Sequence, residues 1–93
     1  MSAFQLFALG QVVATPGALD AIAAADQTPL ALVQRHQTGD WGEVPPEDKV
    51  ENDLSVQHGL RILSAYTLTT GVKIWLITEA DRSYTTLLLP SEY

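Results

Sequence analysis

The chain has no cysteine, and it carries only five lysine and arginine side chains against eleven acids in 93 residues. Without cysteine, neither a disulfide framework nor a thiolate metal site can form, which fits a cytoplasmic setting. The five cations, Arg35, Lys49, Arg61, Lys73 and Arg82, make no stripe able to neutralise successive phosphates, and the net charge is −6. Nucleic-acid binding is therefore disfavoured, whereas a protein partner with a basic groove suits the charge. No apolar run approaches the roughly 18–20 residues of a membrane span, so no membrane partner is expected. A glycine-rich phosphate loop, a nucleophile elbow and an HExxH pair are all missing, so no cofactor or metal is expected. Residues 1–14 are apolar but lack a basic leading segment and run straight into a helix start. They are expected to belong to the fold rather than to form a leader.

The most informative stretch is residues 60–93. Three β-branched and aromatic runs, 60–68, 72–79 and 83–89, are separated by Thr69-Thr70-Gly71 and Ala80-Asp81-Arg82, and Pro90 stops the last. This pattern predicts a three-stranded antiparallel meander. In the first run Ile62, Ser64, Tyr66 and Leu68 share one face; the second run is apolar on both faces and is expected to be central. Counting across the turns places Tyr66 opposite Ile74, Ser64 opposite Leu76, Arg61 opposite Glu79 and Ile77 opposite Thr85.

Upstream, Gln11-Val12-Val13-Ala14 predicts a fourth strand at an edge of the meander. Thr15-Pro16 and Thr28-Pro29 are repeated helix starts, an N-cap followed by proline at the first helical position. The first helix is expected to bury Leu19, Ile22 and Ala23. The second, running to about Gln37 with Gly39 as its terminator, is expected to bury Leu30, Val33 and Ala31. A third helix opens at Pro46-Glu47-Asp48, is expected to bury Val50 and Leu54, and ends at Gly59. These elements make one α+β domain over residues 1–93: a four-stranded, mainly antiparallel sheet with about three helices packed on one face. An exposed edge on the N-terminal strand or on the third strand of the meander leaves both monomer and homodimer open.

Two constellations could carry chemistry. His36 precedes Asp40 and Trp41; a histidine near a carboxylate can act as general base or acid, or it can simply cap its helix against loop carbonyls, as can His58. Trp41 is either a plug over the core or an exposed recognition residue beside His36 and Asp40. Glu79, Asp81, Arg82 and Ser83 share the second turn of the meander. There Arg82 could clamp a phosphate or carboxylate with its planar fork, or pair locally in a solvated turn.

The strings RHQTGDWGEVPPEDKVEN, HGLRILSAY and GVKIWLITEADRSYTTLLLPSEY, with GQVVATPGALDAI near the start, resemble a family of small bacterial proteins of unknown function. Its members are carried by plasmids and phages and are often labelled plasmid-related. That resemblance implies a setting on mobile elements and almost nothing about activity; the acidic surface and the lack of a complete catalytic signature point to a non-enzymatic accessory or interaction protein. A weaker likeness, to the barnase, EndoU, colicin and RelE-like ribonuclease fold, implies a metal-independent nuclease. In it His36 or Glu79 would be the general base and Arg82 would stabilise the pentavalent phosphate, while Thr85 and Thr86 would match the polar residues of its closing strand. The acidic balance departs from that pattern.

Overall fold

The computed structural model describes residues 5–93; the first four residues of the apolar N-terminal stretch lie outside them. Strand β1 (Gln11–Ala14) is followed by helices α1 (Pro16–Ala24), α2 (Pro29–Gln37) and α3 (Pro46–His58), then by strands β2 (Ile62–Thr67), β3 (Lys73–Thr78) and β4 (Tyr84–Leu88) and a single 3-10 turn, Pro90–Glu92. The two Thr-Pro starts form as their chemistry requires: Thr15 Oγ1 accepts the N–H of Ala18 at 3.1 Å and Thr28 Oγ1 that of Ala31 at 3.2 Å. Gly59 ends α3 in the left-handed conformation, at φ 67°.

The sheet runs β1-β4-β3-β2, with β2, β3 and β4 antiparallel and β1 added parallel to β4. The fold is therefore α+β with a mostly antiparallel sheet. The third strand of the meander, β4, is interior and is no edge. In the first hairpin Tyr66 lies opposite Ile74 and Ser64 opposite Leu76, and Arg61 reaches Glu79 at 3.6 Å beyond the strand ends. The second hairpin differs from expectation by one residue: Ile77 faces Thr86, and it is Thr78 that faces Thr85. The turn takes in an extra residue because Arg82 adopts a left-handed conformation, at φ 60°. One added residue reverses which side chains meet across the strands.

The faces that the helices bury follow the apolar spacing only in part: Ile22 and Val33 are buried as expected, while other expected positions are not. On α1 the buried residues are Ala18 and Ile22, with Ala25 just past its end, while Leu19 is exposed. On α2 they are Leu32, Val33 and His36, and Leu30 points into solvent. On α3 the inversion is complete: Asn52 and Ser55 are buried, and Val50 and Leu54 are 60% and 46% exposed.

The outer edge of β2 explains that inversion. A strand edge presents unpaired amides that need partners, and here Asn52 supplies both, its Nδ2 donating to Leu63 O at 2.7 Å and its Oδ1 accepting from Leu63 N at 3.2 Å. One pair further along, Ala65 N donates to Trp41 O and Glu43 N donates to Ala65 O. Gly42, between Trp41 and Glu43, has φ +75°, and a Cβ there would run into the Ala65 carbonyl and the Tyr66 ring. Only glycine lets the loop lie this close.

Two apolar clusters result among the described residues. Ile22, Leu32, Tyr66, Ile74, Leu76 and Leu87 anchor the larger one, under α1 and α2. The smaller gathers Phe7, Trp41, Val44, Ile62 and Ala65. Across the sheet the C-terminal tail lies over β3, with Tyr93 edge-on to Trp75 at 5.8 Å and Glu92 accepting from Thr15 Oγ1 at 2.6 Å. No helix among the described residues is long and apolar enough to cross a membrane.

Candidate functional site

His36 lies in the last turn of α2 with 0% of its surface exposed. It neither caps the helix nor faces a cleft. Its Nδ1 is 2.6 Å from Ser64 Oγ and its Nε2 is 2.9 Å from Thr78 Oγ1. Thr78 Oγ1 is in turn 2.7 Å from Thr85 Oγ1, which donates to Leu9 O at 2.9 Å. Counting protons from the far end fixes every direction. The Thr85 hydroxyl hydrogen goes to the Leu9 carbonyl, so Thr78 donates to Thr85, Nε2–H of the ring donates to Thr78, and Ser64 donates to the bare Nδ1. A neutral ring satisfies the whole chain, and burial, reinforced by the positive charge of Arg82, lowers the His36 pKa to about 4. Phe7 at 5.2 Å and Trp41 at 6.0 Å close the ring edge-on.

A serine hydrogen-bonded to a histidine is the start of a nucleophile–base pair. Here Ser64 and His36 are both fully buried, and the far nitrogen meets a threonine rather than a carboxylate. In this conformation the pair reaches no substrate, so its role is to hold α2, β2, β3, β4 and the Leu9 segment together.

Trp41 is 4% exposed, stacks on Phe7 at 6.2 Å and donates its Nε1–H to Asp53 at 3.0 Å. The ring is thus a plug over the smaller cluster. Asp40 does not pair with His36. Its Oδ2 takes Arg35 Nε–H at 2.7 Å and its Oδ1 the Gly42 N–H at 3.2 Å, and the Arg35 bond holds its carboxyl below the usual range. Arg35 also lies 4.3 Å from the centre of the Tyr66 ring. Tyr66 donates its hydroxyl to Asp40 O at 2.5 Å, and burial pushes its pKa up to about 12.

The second turn of the meander is a clamp on the chain itself. Arg82 Nη1 donates to the carbonyls of Leu60 at 2.7 Å, Glu79 at 3.0 Å and Ala80 at 3.3 Å, and Nη2 to that of Ser55 at 2.9 Å. Its guanidinium also lies 5.6 Å from the centre of the Phe7 ring, so Phe7 lies between His36 and Arg82. Ser55 and Leu60 bracket the end of α3, where unpaired carbonyls favour a cation. Arg82→Lys is expected to lower unfolding free energy by about 1–2 kcal/mol, since one ammonium cannot span four carbonyls. Urea melts of the two proteins check this, and equal midpoints would remove the clamp from the account.

Glu79, held by Arg61, and Asp81, Ser83 and Tyr84 line a shallow open groove of about 450 Å³ together with Ala80. Hydrogen bonds from Ser83 hold the Asp81 carboxyl below its ordinary range. Among the described residues, the groove wall carries two carboxylates and no cation, which is the wrong polarity for a phosphate. No group of three or more potential metal ligands occurs among the described residues.

The surface that sequence reasoning missed is the outward side of α3. Val50 and Leu54, four residues apart, stand one turn above the other on the side of the helix opposite Asn52, with the exposed Glu47 and Glu51 alongside. The available signal was Asn52, a strand-edge partner placed opposite the apolar pair on the helix. Compared with models of protein families, with curated proteins and with solved structures, the chain matches none of them.

Proposed function

We propose that this chain is a small acidic interaction protein of bacterial mobile elements, acting in the cytoplasm by binding another protein through the outward side of α3. The observation that carries this reading is the reversed polarity of that helix, which turns Val50 and Leu54 to solvent while Asn52 and Ser55 are buried. An apolar pair spent on the surface of a domain this small gains nothing for folding, whereas a docking helix needs anchors at this spacing. The association with plasmids and phages rests on the sequence strings quoted above. The groups a nuclease would use are engaged elsewhere: His36 is sealed in the core and the Arg82 fork is filled by carbonyls.

The test compares the wild type with Val50→Glu/Leu54→Glu. Both side chains are exposed, so the melting temperature is expected to change by no more than about 2 °C. A partner recovered from the bacterial host, then purified and titrated, should bind the wild type and lose at least about tenfold in affinity for the variant, the loss of one or two anchors. Equal affinity for both proteins would end the proposal.

A further inference from the structure

Resting on the docking role of α3, we infer that the segment it receives is a basic amphipathic helix, laid along α3 with apolar residues on Val50 and Leu54 and lysine or arginine facing Glu47 and Glu51. The shape of the surface argues for a helix. Val50 and Leu54 form a short ridge on a convex cylinder of 13 residues, and such a ridge fits the groove between side-chain rows of another helix. A strand would need a free edge beside it, and the nearest one, on β2, is filled by Asn52, Trp41 and Glu43.

The charge argues for a basic partner. Helix α3 carries Glu47, Asp48, Glu51 and Asp53 against the single cation Lys49. Asp53 is taken by the Trp41 indole, which leaves Glu47 and Glu51 beside the apolar pair. A second copy of this chain cannot supply the complement. Of its five cations, Arg35 is bound by Asp40, Arg61 by Glu79 and Tyr93, and Arg82 by backbone carbonyls. Lys49 and Lys73, the two that remain, sit on different elements. Phosphate-rich surfaces, whether nucleic acid or anionic lipid, are repelled by the same carboxylates. A cationic helix is what is left, and opposite charges along the rim would speed its encounter and fix its direction.

The experiment titrates the full-length protein with three labelled synthetic peptides, each about 18 residues long so that a helix can form. One has a leucine stripe at helical spacing flanked by Lys and Arg; the second has the same stripe flanked by Glu; the third has the composition of the first in scrambled order. The basic helix should bind at least about tenfold tighter than either control, with affinity falling as salt is raised from low to physiological strength. Glu47→Lys/Glu51→Lys should lose about tenfold for the basic peptide, and Leu54→Ser a similar factor, with melting temperatures unchanged. If the acidic peptide binds as well as the basic one and Leu54→Ser still weakens both, α3 docks a helix but the charge assignment is overturned. If Leu54→Ser changes nothing for any peptide, the docking reading falls with it.

Discussion

Trp41→Ala is expected to lower the unfolding free energy by about 3–5 kcal/mol, the usual cost of deleting a buried aromatic ring. For a domain with about 5–10 kcal/mol in total, this is a drop of the order of 20 °C in melting temperature. Three losses combine. The ring leaves a void between Phe7 and His36, against which it packs at 6.2 and 6.0 Å. Asp53 loses the indole N–H. The loop that pairs with β2 through Trp41 O and Glu43 N loses its anchor, so that the β2 edge loosens too. Trp41→Phe keeps most of the volume and should cost less than half as much, about 1–2 kcal/mol. Thermal or urea unfolding of the two variants decides the matter. An Ala variant that melts with the wild type would show that the ring contributes nothing to the core.

The second large effect is on acid stability. His36 stays neutral in the folded protein down to about pH 4, whereas the unfolded chain protonates it near 6.5. Between these values the unfolded state binds the extra proton, so stability falls as pH drops through 6.5 and the loss is complete below about 4. The full span corresponds to about 3 kcal/mol, with a slope approaching 1.4 kcal/mol per pH unit in mid-window. The depressed carboxylates of Asp40, Asp81 and Glu92 act in the same direction but only at lower pH. Their contribution is present above the unfolded values of 3.8 to 4.5 and is lost as pH falls through the folded ones. The interval from pH 6.5 to 5 therefore isolates His36.

His36→Gln keeps a donor and an acceptor in the cavity without a titrating ring. Its unfolding free energy should be flat across this interval where that of the wild type declines. Parallel curves for the two proteins would contradict the buried neutral ring. The proton-ordered chain adds a structural reason for the steepness, because a charged ring would have to donate to Ser64 as well and turn that hydroxyl away.

The two experiments probe one unit of structure that local patterns reveal only in pieces. Tryptophan in a short Gly-flanked loop already suggested a plug, because large aromatics in the short loops of a single-core domain usually pack. The histidine is different. Whether His36 meets loop carbonyls, a carboxylate or two hydroxyls depends on which residues of distant strands lie beneath the last turn of α2. That, in turn, hinges on the extra residue taken into the turn at Arg82. With the expected register Ile77 would face Thr85; with the observed one Thr78 does, and the hydroxyl chain exists.

By itself the sequence determined the order of the strands and helices and their extents to within a residue or two, the register of the first hairpin and the absence of thiol chemistry, because each follows from neighbours within a few residues: N-caps, prolines, turn glycines and side-chain alternation. Only the tertiary structure decided how each helix is rotated about its axis. The apolar spacing of α3 favoured burying Val50 and Leu54, yet it is Asn52 that turns to the β2 edge, where its one amide satisfies both the C=O and the N–H of Leu63. That contact joins residues 11 positions apart in the chain, and it turns the expected core face of α3 to solvent.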